Sequence, residues 1–202
     1  MACILRYDGV ALQYWWVTDP SRAQNPRRAA YEAVDPNLEV IRDYLAGTGQ
    51  RPQHDFETGV ARLLWLLGFA PAHLGGGHLQ SADIVATTPR GDIVVTECTT
   101  GLLKGDKRSQ LIERTDAIRK RIDGSHVSIL PMMVTSKTRA QVRADLEEAE
   151  KLGLLVITGE QLQEALEFRT LMMPDANAVF EDALKAVREA QTEHKPQTEL
   201  DV

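Results

Sequence analysis

The sequence predicts an α/β fold, a three-layer sandwich in which helices flank a central mixed β-sheet. Two strand-forming runs, at 82–88 and 92–100, follow each other with only three residues between them. Beyond residue 105, segments with helical and strand-like spacing alternate as far as residue 190. Adjacent strands joined by a tight turn pair antiparallel, whereas strands joined through helices usually pair in parallel. The sheet is therefore expected to be mixed.

The N-terminal part is expected to form an extension. Residues 4–18 contain a turn signal between two apolar runs, which predicts a hairpin. A polar stretch follows, and the pattern over 36–47 predicts a helix that Gly47 ends.

The central part begins with a helix over 55–69, for which Asp55 is the expected N-cap and Gly68 the residue just past the C-terminus. A glycine-rich loop at 72–78 connects this helix to the two strands. The remaining expected elements are a helix at 105–122, a strand at 127–135, a helix at 139–153, a strand at 154–158 and helices at 160–172 and 176–190.

These elements suggest three parts. We expect an N-terminal hairpin and helix over 1–50, a main α/β domain over 51–172, and a C-terminal helix with a loose polar tail over 173–202. The polar segment TGQRPQ at 48–53 marks the first boundary.

Composition restricts the class of protein. A net charge of −6 over 202 residues disfavours broad coating of nucleic acid but leaves room for a local basic groove. Two cysteines cannot build a disulfide scaffold or a structural zinc site. No apolar run approaches the roughly 20 residues that span a bilayer, and no signal-peptide pattern opens the chain. We therefore expect a cytoplasmic protein that does not bind membranes.

Two acids lie within the strand-forming runs, where apolar residues are usual. If 89–91 form a three-residue hairpin loop with the glycine in the left-handed conformation, Thr88 faces Asp92. Counting back along both strands then places Asp83 opposite Glu97 on one face of the sheet. The sequence thus predicts two carboxylates directly across from each other.

Opposed carboxylates need compensation. Facing residues have Cβ atoms about 4.5–5.5 Å apart, and two carboxylates 4 Å apart repel by about 4 kcal/mol at an effective dielectric near 20. A divalent cation between the carboxylates makes the electrostatic energy of the group favourable. Mg²⁺ in particular binds one or two carboxylates together with water and phosphate oxygens. Two alternatives remain open: a one-residue change of register would separate the acids, and an arginine could pair with either.

The pattern resembles the PD-(D/E)XK nuclease superfamily, which has the restriction-endonuclease-like fold. A helix with a glutamate precedes a hairpin that carries an aspartate and then an E-x-K tripeptide. The matching residues are Glu57 in FETGVARLLWLLGF, Asp83 in SADIVA and Glu97 in VVTECTTG, so that the resemblance covers roughly 55–135.

The sequence departs from this pattern at two positions. Ala82 replaces the proline, and Thr99 replaces the lysine, whose charge a hydroxyl cannot supply. Some branches of the family look similar, with an E-C-T core and the lysine moved to the following helix. On a helical wheel with Leu111 at zero, Lys107 lies at about −40°, on the inward stripe. Lys107 is thus the first candidate and Lys104 the second, unless both extend into solvent.

The resemblance implies a Mg²⁺-dependent nuclease, with Mn²⁺ as a substitute, that acts on DNA in restriction, repair or phage defence. Asp83 and Glu97 would bind the metal, and Glu57 would bind a second cation directly or through water. Lys107 would orient the attacking water, and Thr99 would hydrogen-bond a metal-bound water. The expected products carry a 5′-phosphate and a 3′-hydroxyl, and a homodimer would pair two sites for double-strand cleavage.

The segment 104–121 carries a local positive excess, which makes it the candidate phosphate-binding track. The residues expected to contact nucleic acid are Lys104, Arg108, Gln110 and Arg114. The alternative is a mixed-charge helix face in solvent.

Three histidines lie near the acids in sequence: His54, His73 and His78. We disfavour a transition-metal centre because they are expected in loops, without helical i, i+4 pairing.

Two other classes of function remain open. The missing E-x-K lysine and the acidic balance favour a catalytically degenerate module for nucleic-acid binding or assembly. An interaction domain of a larger system is the third hypothesis.

Overall fold

The computed structural model describes residues 24–73 and 82–193, together with the backbone of the segments 2–7 and 10–16. The glycines of the expected loop, His78 and the expected C-terminal tail lie outside the described residues.

Strands and helices alternate over most of the described chain. The strands are β1 (Ala2–Tyr7), β2 (Val10–Trp16), β3 (Ala70–His73), β4 (Ile84–Thr87), β5 (Ile93–Thr99), β6 (Ile129–Thr135) and β7 (Leu155–Ile157). The helices are α1 (Pro26–Glu32), α2 (Glu39–Ala46), α3 (Pro52–Leu66), α4 (Gly105–Arg121), α5 (Arg143–Lys151), α6 (Gly159–Glu164) and α7 (Ala176–Glu193), with a π-helical segment (Ala165–Arg169) directly after α6.

The main sheet has five strands in the order β3-β4-β5-β6-β7. The pairs β3–β4 and β4–β5 are antiparallel, whereas β5–β6 and β6–β7 are parallel. This topology confirms the expected mixed sheet. β1 and β2 form a separate antiparallel pair, which confirms the expected hairpin.

Helices cover both faces of the sheet. Because side chains alternate along a strand, Val94 and Cys98 of β5 join one apolar core while Val95 joins another. The first core also contains residues from α2, α3 and α7, among them Ile41 and Phe180. The second packs against α4 and α5. Segments before residue 51 and after residue 172 thus contribute to the same core as the central segment.

The helix that carries Glu57 begins earlier than expected. Arg51 occupies the N-cap of α3 and Pro52 follows at the first helical position, where a missing N–H costs nothing. Asp55 is therefore not the N-cap: it lies in the first turn, and its Oδ2 accepts a hydrogen bond from the Arg51 backbone N–H at 2.8 Å. Gly68 has φ +96°, which suits the residue after the helix.

Two further elements differ from expectation. β3 replaces the start of the expected loop; it is a four-residue edge strand that contains Pro71 and is mostly exposed, so it has no alternating apolar pattern. The helix expected over 160–172 is α-helical only to Glu164, after which the π-helical segment follows.

Among the described residues, we find no helix with the length and apolar character needed to cross a bilayer.

Candidate functional site

The turn between β4 and β5 fixes the register of the two strands. The backbone N–H of Thr88 donates to the carbonyl of Asp92 at 2.9 Å, and Gly91 has φ +94°, the left-handed conformation that favours glycine. Val85 consequently lies opposite Val95. The expected three-residue loop and its register are both confirmed.

The two acids lie one position beyond the last β4–β5 pair. That pair joins Ile84 to Thr96, so the same register makes Asp83 and Glu97 the next facing residues. β5 continues to Thr99 with only β6 beside it. We call the place beside residues 97–99, where β4 no longer pairs with β5, the strand gap.

Side chains fill the strand gap where a neighbouring strand would otherwise pair. Asp83 Oδ2 accepts a hydrogen bond from the backbone N–H of Cys98 at 2.7 Å. The carbonyl of Cys98 accepts from Lys107 Nζ at 2.9 Å and from Gln53 Nε2 at 3.1 Å. Buried backbone groups require hydrogen-bond partners. Because pairing with β4 ends before residue 98, an acid, an amide and an ammonium group meet at the backbone of Cys98 and supply those partners.

Glu97 is the most enclosed of the site acids, with a relative exposure of 4%. Its Oε1 lies 3.3 Å from Lys107 Nζ, and its Oε2 lies 2.5 Å from Arg114 Nη1. Lys107 and Arg114 are two helical turns apart on one face of α4. The structure thus places Lys107 at the acid pair, as the helical wheel predicted, and adds a second cation.

Burial and like charges shape the ionisation of the acids. Burial is the main cause that raises the pKa of Asp83 above its ordinary value, and the charge of Glu57 raises it further. Burial likewise raises the pKa of Glu97, with the charge of Asp83 as the next cause. Lys107 and Arg114 oppose both shifts. Among the described residues, three carboxylates face two cationic side chains here, an excess of negative charge that favours binding of a further cation.

Glu57 connects this site to two histidines. Its Oε1 accepts a hydrogen bond from Gln53 Nε2 at 2.8 Å, and its Oε2 lies 3.2 Å from Nε2 of His73. The rings of His54 and His73 are 5.8 Å apart between centroids. His54 lies in α3 and His73 ends β3, so the expectation that both lie in loops was wrong.

The other expected catalytic residues lie near the end of β5. Thr99 is buried, and its Oγ1 accepts a hydrogen bond from the backbone N–H of Gly101 at 3.1 Å. Lys104 is exposed at the N-cap of α4. Lys107 and not Lys104 is therefore the lysine that the fold brings to the acids.

The expected phosphate-binding track needs correction. Arg108 is buried and binds Glu148 Oε2 at 2.5 Å and the carbonyl of Asp145 at 3.1 Å, because its side of α4 faces α5. Arg114 is engaged with Glu97. Both guanidinium groups thus have partners within the protein. Gln110 is exposed, as is Lys104.

The sequence did not reveal the role of Gln53, and it left open that an arginine pairs with one of the acids without identifying Arg114 as the partner of Glu97. Spacing alone carried a signal for each. Gln53 precedes Glu57 by one helical turn, and Arg114 follows Lys107 by two turns on the same face.

Comparison of the chain with family models, with curated proteins and with solved structures found no match.

Proposed function

We propose that this protein is a Mg²⁺-dependent nuclease that hydrolyses phosphodiester bonds in DNA. The proposal depends on one observation: the β4–β5 register makes Asp83 and Glu97 facing residues at the strand gap, with the ammonium group of Lys107 3.3 Å from Glu97. Carboxylates for a hard cation and a lysine beside them are the groups that metal-assisted phosphodiester hydrolysis requires.

The donor set fits Mg²⁺. Asp83 and Glu97 would hold it, since both present carboxylate oxygens and the charge of Glu57 lies near enough to raise the pKa of Asp83. Both acids carry raised pKa values, so a cation that favours their ionised forms would relieve an unfavourable state. When bound, the ion would acidify a water molecule and polarise a phosphate oxygen.

The side chains of the chain would supply the remaining functions. Lys107 carries the positive charge that Thr99 lacks, and it would orient the attacking water and offset charge that develops on the phosphate. Thr99 would support this arrangement through its hydrogen bond from the Gly101 N–H, which holds the end of β5. We also propose the restriction-endonuclease-like fold, because α3 carries Glu57 and is followed by the β4–β5 hairpin with its two acids.

DNA is the proposed substrate on the strength of the resemblance and of the exposed cations on α4. Arg108 and Arg114 have partners within the protein, and the exposed cations include Lys104 at the start of the helix and Lys120 and Arg121 at its end. Such residues would contact phosphates without reading sequence.

A second candidate is a nuclease-fold module without catalysis. The observation that favours it is the pairing of Glu97, since each of its carboxylate oxygens already contacts a cationic side chain. A buried carboxylate paired in this way has its charge compensated by the protein and needs no metal ion for that purpose.

A cleavage assay separates the two candidates. Purified protein is incubated with single-stranded DNA, double-stranded DNA and RNA in Mg²⁺, Mn²⁺ or EDTA. We expect DNA cleavage in Mg²⁺ that Asp83→Asn and Glu97→Gln abolish, whereas Glu147→Gln, which changes an exposed acid on α5, leaves it unchanged. Full activity in the Asp83 variant would refute the proposal, and DNA binding without cleavage would favour the degenerate module.

A further inference from the structure

A second group of potential ligands lies beside the acid pair. The ligand atoms of His54, Glu57 and His73 all lie within 4.8 Å of one another. His54 and Glu57 are three residues apart in α3, which places them on one face of the helix. His73 reaches the same place from β3, the edge strand. This juxtaposition depends on the packing of β3 beside the helix.

The chemistry of this group differs from that of the acid pair. Two imidazoles and a carboxylate form a mixed nitrogen and oxygen set, which suits first-row transition metals, whereas Mg²⁺ favours oxygen ligands. Bonds of about 2.0–2.2 Å from each ligand to a zinc ion require the ligand atoms to lie roughly 3–4 Å apart. His54 is exposed, so a small rotation of its side chain is the movement that would close the set.

The position of Glu57 is fixed by a further contact. Gln53 Nε2 donates to Glu57 Oε1, so that Oε2 remains directed at His73. A hydrogen bond to the second oxygen of a ligating carboxylate is the kind of outer contact that orients metal ligands. The same Gln53 nitrogen also lies 3.1 Å from the carbonyl of Cys98 in the strand gap. The histidine group and the acid pair therefore share a supporting residue.

We propose that His54, Glu57 and His73 bind a divalent transition-metal ion such as Zn²⁺, at a site separate from the oxygen ligands Asp83 and Glu97. Among the residues that the structure describes, three ligands, two of them exposed histidines, leave coordination positions for water or a phosphate oxygen. This inference goes beyond the proposed nuclease and does not depend on it. It also changes the expected role of Glu57, from a ligand for a second Mg²⁺ to a member of a histidine-containing site.

The test is a titration of the full-length, tag-free, chelator-treated protein with Co²⁺ and Zn²⁺. Co²⁺ binding is followed by its visible absorption, and Zn²⁺ binding by competition with a chromogenic chelator. We expect one ion per chain at the site, with affinity at least tenfold weaker in His54→Gln and in His73→Gln. His126→Gln, which changes an exposed histidine in the turn after α4, is the matched control and should bind as the parent does.

Two results would overturn the inference: the absence of stoichiometric Co²⁺ and Zn²⁺ binding, or unchanged affinity in both histidine variants. His54 is exposed, so its variant should fold, and circular dichroism of each variant verifies this. Asp83→Asn separates this inference from the nuclease proposal, because it should retain the Co²⁺ spectrum and lose Mg²⁺-dependent cleavage. A parent protein that shows the Co²⁺ spectrum but no Mg²⁺-dependent cleavage would refute only the nuclease proposal.

Discussion

Arg114 Nη1 lies 2.5 Å from Oε2 of Glu97, so a guanidinium group from α4 neutralises a carboxylate at the end of β5. Both side chains are largely buried, with 15% and 6% of their surfaces exposed. Removal of one partner from a buried ion pair leaves an uncompensated charge. Arg114 therefore compensates the buried charge of Glu97 at the end of β5.

Arg114→Ala should destabilise the protein in EDTA by on the order of 3 kcal/mol, because Glu97 then keeps Lys107 as its one charged partner among the described residues. Part of the loss should be recovered when Mg²⁺ or Mn²⁺ is added. The measurement is urea unfolding with EDTA and with each cation. Arg119→Ala is the control, since it breaks an exposed pair with Asp116 on the same helix and should cost less than about 1 kcal/mol. Equal losses in both variants would contradict the prediction.

Asp83→Asn should stabilise the metal-free protein at neutral pH. The pKa of Asp83 is raised in the folded state above its ordinary value of 3.8, so the folded state binds the proton more tightly than the unfolded state. The carboxyl therefore costs stability once pH rises above the ordinary value, and the cost is complete above the raised pKa. The asparagine retains an acceptor for the Cys98 N–H and does not ionise.

The measurement is the melting temperature of both proteins in EDTA between acid and neutral pH. The parent should lose stability relative to the variant as pH rises, and the two should converge in acid. Added Mg²⁺ should raise the melting temperature of the parent only. A variant that is less stable than the parent at neutral pH in EDTA would argue against a destabilising acid.

Lys107→Ala should lower kcat for DNA cleavage by about 100-fold or more, since loss of one group that stabilises transition-state charge commonly costs 10²–10³. The KM for DNA should change little, because the ammonium group of Lys107 is engaged with Glu97 and with the carbonyl of Cys98. Lys151→Ala, an exposed lysine of α5, serves as the control. An unchanged kcat would remove Lys107 from the proposed mechanism.

Gly59→Ala should destabilise the fold although alanine favours helices. A Cβ at position 59 would lie 2.9 Å from Cβ of Tyr44 and 3.2 Å from the backbone nitrogen of Leu45, where α2 crosses α3. Overpacking of this kind costs about 1–3 kcal/mol. Gly105→Ala is the control, because within the described part of the chain its Cβ would meet the end of the Arg108 side chain at 3.6 Å, an ordinary van der Waals distance. Chemical denaturation of both variants measures the difference.

The sequence predicted the parts of the site that depend on short-range geometry. A tight turn and the two-residue period of strands fix the Asp83–Glu97 register, and one helical wheel brings Lys107 inward. The sequence pattern did not predict contacts that depend on long-range packing. The meeting of His54 with His73 depends on β3, whose exposed residues leave no periodic signal.

The face of α4 that meets α5 was also not readable. A wheel defines an inward stripe but not which neighbour each flank touches. Arg108 was for that reason expected on the surface, whereas it lies buried against Glu148.

Residue 98 presents its backbone to the strand gap and its thiol to the opposite core, where the side chain is fully buried. The contacts with Asp83, Lys107 and Gln53 are made by main-chain atoms, which any substitution at this position other than proline retains. A bulkier side chain at 98 would nonetheless push β5 away from α3 and shift those atoms. The volume of the side chain at position 98 in the apolar core therefore sets where the backbone groups of the strand gap lie.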